Sequence, residues 1–236
     1  APFENVYTLA LRGLHDRAMN ASNDMADRKQ MLQDALMAQR KMLIDATGKR
    51  GEDIPQAFTP YKEVLDVYDE GLELPDDVTI IWPDDNYGYM KRLSSPKEQK
   101  RSGRSGVYYH SSYLGKPHDH LWMNTTSPTL MYEELRKAYD MTADRIWLLN
   151  AGDIKSCEFA VDFFLSMAYD IDSFNFDRAA TYRTEWLCGM LGDEYRNEYQ
   201  DVINSFYKLA FARRPEFMGW GYQWATDKHG RERNTD

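Results

Sequence analysis

Val78-Thr79-Ile80-Ile81-Trp82-Pro83-Asp84-Asp85-Asn86-Tyr87-Gly88-Tyr89 is the stretch on which the reading of this chain turns. A strongly apolar run breaks at Pro83 into two acids, an amide and two aromatics. Adjacent carboxylates repel each other and seek solvent, a metal or a substrate, so the break reads as the rim of a site. The plainer reading is an acidic turn in which Asp84 caps the next segment.

Working outward, similar short apolar runs occur at residues 6–11, 107–109 and 145–149. Each is followed by a polar loop and then a helical pattern. That alternation signals βα units and a parallel sheet. After the first run, Met31, Leu32, Ala35, Leu36, Met42 and Leu43 keep a helical period that Gly48 ends. A second helix is expected over 60–72, with Thr59 as N-cap and Pro60 as its first residue. A third follows Ser127-Pro128, and a fourth runs from Ser156 through Phe159, Phe163, Phe164 and Met167.

Four such units make either half of an eight-stranded barrel or a small doubly wound sheet. Beyond Phe176 the strand signal stops, and residues 179–190 and 194–212 read as two amphipathic helices. The expected fold class is α/β: the C-terminal half of a (β/α)8 TIM-type barrel, residues 1–172, followed by an α-helical segment, residues 173–236. A half barrel exposes unpaired strand edges, so this reading expects the missing strands upstream in a longer chain, or a homodimer.

The formal charge of −9 argues against a nucleic-acid or anionic-membrane partner, both of which need a basic face. The one basic cluster, Lys97, Lys100, Arg101 and Arg104 among serines and glycines, reads as a solvated loop. Cys157 and Cys188 have neither metal nor redox spacing and are expected as buried free thiols. No apolar run approaches the roughly 20 residues needed to span a bilayer. The start, Ala1-Pro2-Phe3-Glu4, carries no leader pattern. Aromatic residues at 14% suit sugar faces as well as a large core.

In barrels the reactive groups stand at the C-terminal strand ends. The first run ends in Arg12 and, after Gly13-Leu14-His15, Asp16: Arg12 either grips a substrate carboxylate or pairs with a neighbouring Asp for structure, and Asp16 can accept hydroxyls. The second supplies Asp84, Asp85, Asn86 and Tyr87, with Arg92 beyond. The third gives Tyr109 and His110, then a loop with His118, His120, Trp122 and Asn124. His118 and His120 could bind a metal, but zinc sites need three or four ligands, and a polar cleft is the preferred reading. The fourth gives Asn150 and Asp153, the latter also placed to cap a helix. The chain has no glycine-rich nucleotide fingerprint and no GxSxG elbow, and no cofactor is expected.

In order and spacing, Trp82-Pro83-Asp84-Asp85-Asn86-Tyr87-Gly88-Tyr89, Arg92-Leu93, Gly106-Val107-Tyr108-Tyr109-His110, Trp122-Met123-Asn124-Thr125 and Asn150-Ala151-Gly152-Asp153-Ile154-Lys155 resemble the catalytic barrel of glycoside hydrolase family 115. The resemblance covers residues 6–170, and the helices after them match more loosely. Two places depart from the family pattern: Leu14-His15-Asp16 follows the first Arg-Gly, and His120 stands where an aromatic is more usual.

The resemblance implies an extracellular or periplasmic enzyme. It would remove α-1,2-linked glucuronic acid, or its 4-O-methyl ether, from glucuronoxylan or its oligosaccharides, with inversion. Inversion requires two carboxyl groups on opposite faces of one bond, about 6.5–9.5 Å apart. Asp84 or Asp85 is expected to be one, and Asp153, Glu133, Asp16 or an upstream residue the other. Arg12 or Arg92 would hold the uronate, with Asn86, Tyr87, Tyr109, His110, Asn124 and Asn150 reading hydroxyls. A metal-dependent barrel hydrolase and a non-catalytic uronate-binding fragment are the competing classes.

Overall fold

A computed structural model describes residues 3–13, 17–21, 24–115, 119–121 and 123–217. Its strands are β1 (Tyr7–Thr8), β2 (Gln56–Phe58), β3 (Thr79–Pro83), β4 (Ser105–His110) and β5 (Trp147–Asn150). They form a single sheet in sequential order, β1-β2-β3-β4-β5. Pairing is parallel from β1 to β4, in registers such as Ala57 with Thr79 and Trp82 with Val107. Helices α1 (Met25–Thr47), α2 (Glu63–Asp69), α3 (Pro128–Asp140) and α4 (Ile154–Tyr169) alternate with the strands, followed by α5 (Phe176–Leu191) and α6 (Arg196–Ala212). Sequential order with a helix or loop crossover after each strand is the pattern of a partial (β/α) barrel followed by helices.

One expected unit was two. The segment between α1 and α2 contains β2, absent from the sequence reading, because Gln-Ala-Phe is too short to show a period and lacks β-branched residues. All three of its residues are buried. The first strand is also shorter than residues 6–11, since only Tyr7 and Thr8 pair with β2. Helix α2 starts at Glu63, not at Pro60, and Thr59 does not cap it. The Thr59 carbonyl instead accepts from the Tyr61 N–H (2.9 Å), and Lys62 at the N-cap adopts a left-handed φ of 53°. The end of α1 is as expected: Gly48 has φ 66° and its N–H returns to the Ile44 carbonyl at 2.9 Å.

The chain clusters into two compact units, 1–84 with 90–108 and 137–148, and 85–89 with 109–136 and 149–236. The first unit buries Leu9, Leu32, Leu36, Phe58, Val64, Val67, Ile80 and Trp82 in one apolar core. Within it Gly106 allows close strand approach, because a Cβ there would lie 2.0 Å from the Ile146 carbonyl oxygen. The second unit is aromatic inside: Phe163 meets Phe174 and Tyr182 edge to face at 5.4 and 5.1 Å, and Tyr109 stacks with Phe164 at 6.1 Å. Cys157 and Cys188 are buried free thiols. Among the described residues no helix is long and apolar enough to cross a membrane.

Candidate functional site

In the first unit, β3 delivers Asp84. Its backbone N–H continues the strand ladder to the Tyr108 carbonyl at 3.1 Å, and the residue is only 2% exposed. A carboxyl group brought into such burial is costly unless it is hydrogen-bonded or paired. Arg92 lies near the same strand but is committed: it donates to Glu98 and Asp69, both at 2.9 Å, and its guanidinium lies 4.5 Å from the Trp82 ring centre. Burial pushes the Glu98 carboxyl up, but hydrogen bonds from Arg92, Ser95 and Tyr68 outweigh it and hold Glu98 below the usual carboxylate range. Burial, reinforced by Glu98, pushes the Tyr68 phenol up.

Arg12 is paired with an acid, but with Glu63 of α2 and not with a neighbouring Asp. Its Nε and Nη2 donate to the two oxygens of Glu63, each at 3.1 Å, and its guanidinium lies 5.4 Å from the Tyr61 ring centre. Asp16, like His118 and Trp122, lies outside the described residues.

In the second unit, the Asp85–Tyr89 loop folds around its own acid. Asp85 Oδ1 accepts from the Tyr87 and Tyr89 N–H groups at 2.9 and 3.1 Å, and the Asp85 N–H reaches the Tyr89 carbonyl at 2.8 Å. The turn-former is thus Asp85 and not Asp84, to which the plainer reading gave that role; Asp84 is the deeply buried member. Asn86 and Gly88 take left-handed φ values of 72° and 97°. A Cβ on Gly88 would also meet the Tyr109 hydroxyl and the Thr126 methyl at 2.8 Å. The Tyr109 hydroxyl donates to the Gly88 carbonyl at 2.9 Å, so Tyr109 braces the loop.

That loop presents Tyr87 to a cluster of rings. Tyr87 stacks on His120 at 4.9 Å and 29°, and meets Phe217 at 5.3 Å and Tyr113 at 6.0 Å. Burial, then the negative charge of Glu216, pushes the Tyr87 phenol up to about 12. His120 Nε2 is 2.9 Å from the Asn86 carbonyl, which can only accept, so Nε2 carries a proton in this contact. Burial lowers the His120 pKa, partly offset by that hydrogen bond and by Glu216.

His110, 1% exposed, meets Tyr113 edge-on at 6.0 Å. The Asn150 carbonyl accepts from the Ser111 N–H and hydroxyl at 3.0 and 3.1 Å. Asn124, 9% exposed, has a left-handed φ of 50°. Glu133 is exposed on α3 while its neighbour Glu134 is buried, and Asp153 is exposed at the α4 N-cap, where its side chain makes no cap hydrogen bond.

The second unit also contains residues that the sequence reading missed. Thr125 donates to Glu216 Oε1 at 2.8 Å, and Arg214 donates to Thr126 Oγ1 at 3.1 Å and to the Tyr87 carbonyl. Glu216 is 4% exposed, and its Oε2 makes no hydrogen bond among the described residues. The available signal was the run Arg213-Arg214-Pro215-Glu216-Phe217, where charge and an aromatic follow the last helix. No group of three or more His, Cys, Asp or Glu among the described residues is arranged to hold a metal.

A family model described as Glycosyl hydrolase family 115 matches residues 1–217. A solved structure described as a novel family GH115 4-O-methyl-alpha-glucuronidase, BtGH115A, with specificity for decorated arabinogalactans, is 42% identical in sequence with a TM-score of 0.85. The match covers 91% of this chain and 28% of that one, so the chain spans about a quarter of that relative's length. No curated protein matches the chain.

Proposed function

Because the chain belongs to glycosyl hydrolase family 115, we propose that it forms part of the catalytic region of a glucuronidase. The substrate is an α-1,2-linked glucuronic acid, or its 4-O-methyl ether, carried on glucuronoxylan or its oligosaccharides. The observation that carries this reading is Asp84, an acid buried to 2% exposure at the C-terminal end of β3, where (β/α) barrels keep their chemistry.

Inversion is the mechanism that we assign. One carboxylic acid protonates the departing glycosidic oxygen while a carboxylate on the opposite face takes a proton from water, and that water attacks the anomeric carbon. Asp84 supplies one of these groups. Asp85 is the less suited of the pair, since its Oδ1 already holds two backbone N–H groups of its own loop. The second carboxyl comes from Asp153, Glu133, Asp16 or a residue upstream of this chain. Tyr109, His110, Asn124 and Asn150 remain the proposed hydroxyl contacts, with Asn86 and Tyr87 on the neighbouring loop. A polymer cannot cross a membrane intact, so the enzyme works outside the cytoplasm, at the cell surface or in the periplasm.

The test is proton NMR of the complete gene product acting on glucuronoxylan and, separately, on a decorated arabinogalactan. The expected result is uronic acid released from glucuronoxylan, appearing first as the β-anomer. Release from arabinogalactan alone would transfer the relative's substrate to this chain, and first appearance of the α-anomer would replace inversion by retention.

A further inference from the structure

We propose that Arg214 is the residue that receives the substrate's carboxylate, an assignment that rests on the glucuronidase reading. The arginines nominated from the sequence have their charge engaged elsewhere: Arg12 is bound through two nitrogens to Glu63, and Arg92 to Glu98 and Asp69. Moving either to a uronate would strand a protein carboxylate. Arg214 differs. Its partners among the described residues are neutral oxygens: Thr126 Oγ1 at 3.1 Å, Thr125 Oγ1 at 3.4 Å and the backbone carbonyl of Tyr87.

A guanidinium carries five N–H donors. Three are engaged in these bonds, which leaves two without a protein partner among the described residues. The closest acid in this network is Glu216, which is held one hydroxyl away: Thr125 donates to Glu216 at 2.8 Å while accepting from Arg214. This bridge fixes the guanidinium without consuming it in a direct ion pair. Thr126 and the Tyr87 carbonyl fix its plane, and its carbon lies 5.5 Å from the Tyr87 ring centre.

A cavity of about 40 Å³ adjoins Arg214, lined also by Tyr89, Thr125, Ser127, Leu130 and Tyr207. It is far smaller than the roughly 300–1,000 Å³ of pockets that enclose a whole small ligand, so it suits a small polar group and not a pyranose ring. A carboxylate held there by a fixed, partly exposed guanidinium, with the ring outside against Tyr87 and its stacked neighbours, fits the chemistry of a uronic acid. A neutral sugar would gain nothing from Arg214.

The test uses the complete gene product as wild type, Arg214→Gln and Arg214→Lys, with KM and kcat for uronic acid release and inhibition by free glucuronate and by glucose. Losing a charge-assisted pair should raise KM and weaken glucuronate inhibition by about tenfold to a hundredfold in Arg214→Gln, less in Arg214→Lys, with kcat and glucose inhibition less affected. Thermal melting separates a folding defect from a recognition defect, and the lysine variant keeps the test open if the glutamine variant does not fold. Unchanged KM and glucuronate inhibition in folded variants would overturn the assignment while leaving the glucuronidase reading intact. Absence of release by the wild type would overturn that reading, and the assignment with it.

Discussion

At residue scale, the buried groups fix what can be tested. Glu98 sits below the usual carboxylate range because Arg92, Ser95 and Tyr68 bond its charged form more strongly than burial opposes it. A carboxyl depressed in the folded state contributes stability above its unfolded pKa, near 4.3, and loses it as pH falls through the folded value. Glu98→Gln should therefore destabilise at pH 7 by about 1–3 kcal/mol in urea melts, with the deficit shrinking toward pH 3. His120 is also depressed, by burial, so protonation works against the folded state, and stability should fall as pH drops through its unfolded value near 6.5. His120→Phe keeps a flat ring against Tyr87 and should remove that part of the pH dependence; an unchanged pH profile would contradict the assignment. The break in polarity at Asp84-Asp85 was legible in the sequence, but which member turns the loop was not. That depends on the Tyr87 and Tyr89 N–H groups folding back onto Asp85.

At the scale of elements, legibility followed length and chemistry. β3 was readable because Thr79–Pro83 is apolar and ends in a sharp change of polarity. β2 was not, because three residues carry no period and Gln56 reads as polar although its side chain is buried, with its amide donating to the Gly51 and Ile54 carbonyls. The α2 start was misplaced because Thr-Pro imitates a helix N-terminus, whereas the chain turns at Tyr61 and Lys62 first. Arg214 and Glu216 were invisible for another reason: they join Thr125 across 89 and 91 positions of sequence, which no local pattern encodes. Two glycines offer tests. Gly106→Ala would place a methyl 2.0 Å from the Ile146 carbonyl, and a loss of at least about 2 kcal/mol is expected from that overlap. Gly88→Ala meets both a left-handed φ and contacts at 2.8 Å, so about 1–3 kcal/mol should be lost, together with activity, because the loop it shapes carries Tyr87.

At the scale of the whole molecule, the fold class was legible because strand and helix alternate, and the family because several motifs keep their order. The net charge of −9 makes local positive charge the scarce resource for an acidic substrate, which is why the state of each arginine decides more than the total. With the chain covering 28% of the relative's length, catalysis is best judged on the complete gene product. The most direct measurement is uronic acid released from glucuronoxylan by that product as wild type, Asp84→Asn and Asp85→Asn, each checked for folding. Release by the wild type, reduced about a thousandfold or more in Asp84→Asn and less in Asp85→Asn, is the predicted result. Full activity in a folded Asp84→Asn would contradict it.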